Sequence, residues 1–327
     1  IIPVLINRVG FVRTLYWLFA IVGILALLVV TIAGNTSYGA KISLSIAGIS
    51  IQPSEFVKIL FVFFVAGMLY QDTSFQRVCV TTVIAAIHVL ILVASRDLGA
   101  ALLFFVTYVV MLYVATKKVL YFAGGLAAGS AASVVAYHLF SHIRVRVRAW
   151  QNPLAYIDKE GYQISQSLFA IGTGGWFGMG LYQGLPDKIP VVKQDFIFSA
   201  ISEELGGIFA LCLIMVCFSC FLMFLNIAMQ MKDQFYKLVA LGLGTIYAFQ
   251  VFLTIGGVTK FIPSTGVTLP LVSYGGSSLL SSMIIFAVIQ GLYILREDED
   301  EEIERYRRKG TAQRVEEAPE VQGSGDF

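Results

Sequence analysis

Eight stretches long and apolar enough to cross a bilayer dominate the sequence, and they constrain the fold more than any other feature in it. A spanning helix needs roughly 20 mostly apolar residues, because inside hydrocarbon every backbone N–H and C=O has to be satisfied within the segment itself. The stretches cover 14–34, 52–70, 78–95, 98–116, 119–140, 200–230, 238–258 and 270–295. With 57% of 327 residues hydrophobic, 13% charged and a mean hydropathy of +0.79, a soluble fold could not hide the apolar surface. The expected fold is an all-α polytopic membrane protein with about eight transmembrane helices. Residues 1–295 form its membrane domain, 141–198 a large structured outer loop, and 296–327 a charged tail read as a helix that frays into disorder.

Orientation follows from Lys and Arg in the short connections. One side carries Arg8, Arg13, Arg77, Lys117, Lys118, Lys232, Lys237 and the basic tail; the other has only Lys41, Arg96 and Lys260. The first side is expected to be cytoplasmic, which places the 141–198 loop outside and the tail inside. A net charge of +2 without a basic stripe interleaved with aromatics gives no sign of nucleic acid. Cys217 and Cys220 form a C-x-x-C inside an apolar span with no further ligands, so a packing role is expected for them. The first residue is Ile1, which suggests a chain that starts partway into a longer protein.

Asp195 is the residue that composition explains least. It stands in P-D-K-I-P-V-V-K-Q-D-F-I-F-S-A-I-S-E-E-L-G-G (186–207), where a polar loop gives way to an apolar helix, with Phe196, Ile197 and Phe198 directly behind it. An ionised carboxylate at that boundary is costly and usually has a partner or a task. Glu203 and Glu204 have two open readings, as helix-start acids complementing the N-terminal dipole or as lining of a functional cavity. Arg144, Arg146 and Arg148 in H-I-R-V-R-V-R-A-W either meet lipid phosphates or clamp a phosphorylated substrate. Seven glycines between Gly161 and Gly184 fit no dinucleotide or P-loop pattern and suggest a structured, re-entrant loop. In the second span Pro53 suits the first helical turn, with Gln52 as its cap, and Glu55 and Lys58 fall at i and i+3, able to pair. Gly125 and Gly129 mark a close helix-packing surface. The segment Asn35 to Ser50 reads as a plain connection. His88, His138 and His142 show no ligand spacing.

Taken together, several pieces resemble a known family. Q-P-S-E-F-V-K (52–58), D-L-G-A-A-L (97–102), N-P (152–153), G-Y-Q (161–163), G-T-G-G-W-F-G-M-G-L (172–181), D-F-I-F-S-A-I-S-E-E-L-G (195–206) and G-V-T-L-P-L-V-S-Y-G-G-S-S (266–278) occur in the order seen in the RodA/FtsW/SpoVE polymerases of bacterial peptidoglycan, the SEDS family. Members typically have ten membrane helices, and the motif order matches this chain to the last eight. Two departures are visible. G-A-K-I-S-L (39–44) stands where many relatives carry Arg-Trp, and Lys193-Gln194 where many carry His-Thr. The resemblance implies a glycosyltransferase that polymerises lipid II at the outer face of the bacterial cytoplasmic membrane, serving elongation, division or sporulation. It makes Asp195 the catalytic residue, the general base for the attacking sugar hydroxyl. Glu55, Lys58, Arg144, Arg146, Arg148, Gln163, Lys193, Glu203, Glu204, Ser273 and Tyr274 become candidates for the substrate cavity. It also implies a divalent cation (Mg or Mn) of unknown ligands, a class B penicillin-binding protein as partner, and other divisome or elongasome membrane proteins around it. A lipid II flippase or a non-catalytic scaffold are the competing readings, since spans, buried charges and a cavity would suit a transporter as well.

Overall fold

A computed structural model describes residues 13–37, 40–46 and 49–316. Its helices are α1 (Tyr16–Ala33), α2 (Pro53–Leu69), α3 (Phe75–Ala94), α4 (Leu98–Thr116), α5 (Val119–Leu139), α6 (Ser141–Gln151), α7 (Tyr162–Gly174), α8 (Ile197–Gln230), α9 (Gln234–Val258) and α10 (Gly276–Glu316). Seven of them are long and apolar enough to span a membrane: α1, α3, α4, α5, α8, α9 and the Gly276–Glu297 part of α10. This is an all-α polytopic membrane protein. The eighth expected span forms α2, which at 17 residues reaches only about 26 Å and falls short of a bilayer's hydrocarbon core. Its burial compensates, since 14 of its 17 residues are buried and it forms the centre of the bundle. Phe61, Phe64 and Val65 of α2 pack there with Phe104 and Met111 of α4 and Leu238 and Leu243 of α9. By contrast α5 has no buried residue and leans on α4 where Val109 and Phe105 approach Gly125 and Gly129.

The sequence reading needs correction at three places. Asn35 to Ser50 is more than a connection. It holds β1 (Asn35–Ser37), β2 (Ala40–Ile46) and β3 (Ile49–Ile51), a three-stranded antiparallel sheet in which Leu44 pairs with Ile51. Gln52 is the N-cap residue of α2 but its side chain caps nothing; its amide donates to Ser54 Oγ (3.2 Å), and its backbone N–H donates to Ser277 Oγ (3.0 Å). The last span starts at Gly276 rather than at 270, after a turn. Beyond 296 the backbone stays helical to Glu316, and residues 317–327 of the expected disordered tail lie outside the described residues.

The glycine-rich loop is explained by a break in α8. Gly206 has φ +86° and ψ 170°, which interrupts the helix's own hydrogen bonding. The chain after α7 docks against the gap: the Met179 and Gly180 amides donate to the Glu203 and Glu204 carbonyls (2.9 and 3.0 Å), and the Gly207 amide donates to the Gly175 carbonyl (2.8 Å). Irregular backbone at membrane depth is tolerated where protein satisfies it in this way. A Cβ on Gly206 would come within 2.4 Å of the Gly178 nitrogen, and the backbone there is left-handed. Gly206→Ala is therefore expected to destabilise the protein by more than about 1 kcal/mol, read as a lower midpoint of thermal unfolding in detergent.

At the opposite end, Arg13 closes the bundle. Its guanidinium meets Asp233 at 2.6 Å and lies over the rings of Tyr70, Phe235 and Tyr236. Asp233 also caps α9 by accepting from the Phe235 amide (2.8 Å).

Candidate active site

Asp195 sits at the turn into α8, half-buried, with buried Phe196 and Phe198 behind it. Two hydrogen bonds hold its loop against the 264–275 segment. The Tyr274 amide donates to the Lys193 carbonyl (2.7 Å), and the buried Ser273 hydroxyl donates to the Gln194 carbonyl (2.5 Å). Gly266 lies on the carboxylate itself; a Cβ there would be 3.5 Å from Asp195 Oδ2.

Two charged groups from other elements act on Asp195. Arg146 comes from α6, where its Nη1 donates to the Ser264 carbonyl (3.2 Å) and neighbouring Trp150 donates to the Lys260 carbonyl (3.0 Å). Asp97 caps α4, accepting from the Ala100 amide (3.1 Å) and from Ser54 Oγ of α2 (3.2 Å). Burial pushes the Asp195 carboxyl up to about 6; Arg146 opposes the rise and the like charge of Asp97 adds to it. Asp97 is raised as well, chiefly by burial, with its hydrogen bonds and Arg146 pulling the other way. Burial lowers Arg146, while the two carboxylates favour its charge. The result is two acids within the electrostatic reach of one guanidinium, with one acid poised near neutrality. That arrangement suits proton abstraction from a poor nucleophile.

Of the three arginines only Arg146 takes part. In a helix, residues 144 and 148 share a face and 146 points away from it. Arg144 accordingly turns back to the His138 carbonyl (2.7 Å), and Arg148 is exposed. Lys193 and Tyr274 are exposed beside Asp195, lining a groove of about 460 Å³ with Leu271 and Gly276. Gln163 lies in the first turn of α7, half-buried, and makes none of the hydrogen bonds around Asp195.

Glu203 and Glu204 do not start a helix; they fall at the end of the second turn of α8, shortly before the break. Glu203 is buried against Gly184, with one carboxylate oxygen accepting from the Leu185 amide (3.2 Å). The bond ties the far side of the glycine-rich loop to α8.

Glu55 and Lys58 pair as expected, at 2.5 Å and almost wholly buried. Two partners were not legible in advance. Ser281 of α10 donates to Glu55 Oε2 (2.9 Å), and Lys58 donates to Gln250 Oε1 of α9 (2.9 Å), so the pair locks three helices together. Asp97 was also missed as a site residue. Its signal was available: it is the acid that opens D-L-G-A-A-L, on the same face of the membrane as the 141–198 loop.

The geometry defines a multi-pass helical membrane protein with a carboxylate–guanidinium site at one end of the bundle. Residues 1–297 match the model of the FtsW/RodA/SpoVE cell cycle proteins, and the chain belongs to that family. It is 40% identical over 267 residues to the peptidoglycan glycosyltransferase RodA of Mycobacterium tuberculosis, covering 77% of this chain and 57% of that protein. Stage V sporulation protein E of Bacillus subtilis is 36% identical over 278 residues, covering 81% of this chain and 75% of that one. The probable peptidoglycan glycosyltransferase FtsW of Aeromonas salmonicida is 31% identical over 282 residues, covering 82% and 71%. The chain thus spans little more than half the length of its mycobacterial relative.

Solved structures share the fold. A chain from a peptidoglycan synthase complex that couples polymerization and crosslinking superposes with a TM-score of 0.72 at 23% identity, covering 88% of this chain and 82% of that one. The rod shape determining protein RodA of Thermus thermophilus gives 0.61 at 22% identity, covering 91% and 83%.

Proposed function

We propose that this protein polymerises lipid II into β-1,4 glycan strands at the outer face of the bacterial cytoplasmic membrane. The observation that carries the reading is Asp195, a half-buried acid raised to about 6 beside Arg146, on a loop whose Lys193 lines a groove. The GlcNAc 4-hydroxyl of the acceptor attacks the anomeric carbon of the donor's MurNAc, with inversion. The hydroxyl proton passes to Asp195 as the C–O bond to undecaprenyl diphosphate breaks. Arg146 keeps the two acids from repelling the approaching diphosphate, and exposed Lys193 adds positive charge at the rim.

A divalent cation fits the donor chemistry. Mg²⁺ is often held by one or two carboxylates together with substrate phosphates, and Asp97 would hold it here beside Asp195. Among the described residues no group of three or more His, Cys, Asp or Glu could hold a metal, so the substrate's phosphates would have to supply further ligands. Bound there, the ion supplies charge to the departing diphosphate. A class B penicillin-binding protein is the expected partner, with the 141–198 loop outside and the tail in the cytoplasm.

The test uses the full-length protein, purified in detergent with lipid II, with and without the transpeptidase. Detergent leaves no membrane to cross, so glycan chains on a gel are expected of a polymerase and not of a flippase or scaffold. Lipid II left unpolymerised while a related polymerase works beside it would overturn the reading.

A further inference from the structure

We infer that Ser273 is a positioning residue for Asp195, latching the base's loop to a scaffold that the buried Glu55–Lys58 pair anchors through Gln250. This rests on the polymerase reading for the identity of the reaction, but the latch itself stands on geometry.

Ser273 is 7% exposed and uses its hydroxyl twice. The oxygen accepts from the Leu269 amide (2.8 Å), closing the 269–273 turn, and the hydrogen is given to the Gln194 carbonyl (2.5 Å), one residue before Asp195. A hydroxyl is the smallest group that can do both. The Tyr274 amide doubles the bond by reaching the Lys193 carbonyl, and Gly266 covers the carboxylate from the same segment.

The scaffold is fixed in turn from below. Gln250, 1% exposed, accepts from Lys58 and donates from Nε2 to the Thr268 carbonyl (3.1 Å). Thr254 donates to the Val267 carbonyl (2.8 Å), and Thr268 bonds Ser278 at the start of α10 (2.6 Å). A run of buried and part-buried hydrogen bonds, joined through the Thr268–Leu269 peptide, thus leads from the intramembrane ion pair to the residue preceding the base. Nothing in this run touches the groove where substrate is expected, apart from the wall that Ser273 shares. Such second-tier contacts hold reacting groups in productive geometry, and small misplacements there reduce rate without changing binding.

Loosening the latch should also let water reach the carboxylate. The groups facing Asp195 are Arg146 from α6 and Asp97 from the start of α4, with Lys193 on its own loop; none of these is altered by a change at Ser273.

The experiment compares wild type, Ser273→Ala and Ser273→Thr in the full-length protein with two readouts. The first is the rate of lipid II polymerisation against pH. The second, independent of activity, is labelling of Asp195 by a water-soluble carbodiimide, which attacks only the protonated acid, followed by mass spectrometry across pH 4–8. Ser273→Ala is expected to lower kcat about tenfold with KM unchanged and to move both midpoints down by about one unit, toward an ordinary carboxylate. Ser273→Thr, which keeps the hydroxyl, should restore them. Equal labelling midpoints in wild type and Ser273→Ala would overturn the latch, even if the rate falls. A shifted labelling midpoint in a protein that makes no polymer would uphold the latch and sink the polymerase reading alone.

Discussion

Replacing Asp195 with asparagine is expected to lower glycan polymerisation by about 10²–10⁴-fold, the usual contribution of a positioned base, while leaving the protein at least as stable. Asparagine matches the shape of the acid and cannot take the proton. The stability half of the prediction follows from the sign of the shift. The folded-state value, about 6, lies above that of an unfolded aspartate, near ~4, so folding favours the protonated acid. The cost of holding the ionised form is absent below about pH 4, grows between 4 and 6, and is fully present above 6. Asparagine removes that cost, so at pH 7.5 the variant should unfold at the same temperature as wild type or higher. A site that trades stability for chemistry behaves in this way. A variant that lost activity only because it unfolded at a lower temperature would contradict the assignment.

The second large effect concerns the ion pair in the bundle centre. Lys58→Met should cost about 3–5 kcal/mol, because it leaves the Glu55 carboxylate buried with a single Ser281 hydroxyl as partner and strips Gln250 of its donor. The double variant Glu55→Gln, Lys58→Met should recover much of that loss, since two neutral groups of similar volume leave no buried charge. The cycle would be measured by thermal unfolding in detergent. If the two single changes each cost under about 1 kcal/mol, the pair is solvated and does not join α2, α9 and α10.

Much of this was readable in the sequence for plain reasons. Charge-free runs fix spans, because the bilayer leaves the backbone no other choice, and the i, i+3 spacing of Glu55 and Lys58 fixes their pairing on any helix. Asp195 stood out because an acid in front of three apolar residues needs an explanation. Long-range partners were not readable. Gln250 lies 192 positions from Lys58 and Ser281 lies 226 from Glu55, and only packing brings them together. Which of Arg144, Arg146 and Arg148 reaches the site depends on α6 being a helix, which a strict i, i+2 alternation of arginines does not suggest. The small sheet was missed despite a signal in K-I-S-L-S-I, whose polar and apolar residues alternate with period two. The α8 break was hidden because Gly206 and Gly207 lead straight into a long apolar run, and only the loop that docks against the break shows why glycine is needed there.

The most direct test of Asp195 as the base is the pH dependence of lipid II polymerisation by the full-length protein. The rate should be half-maximal near pH 6 and fall about tenfold for each further unit of acidity, with no residual activity of this shape in Asp195→Asn. A rate that stays flat from pH 7 down to pH 5, or an acid limb at 6 that persists in Asp195→Asn, would assign the proton transfer to another group.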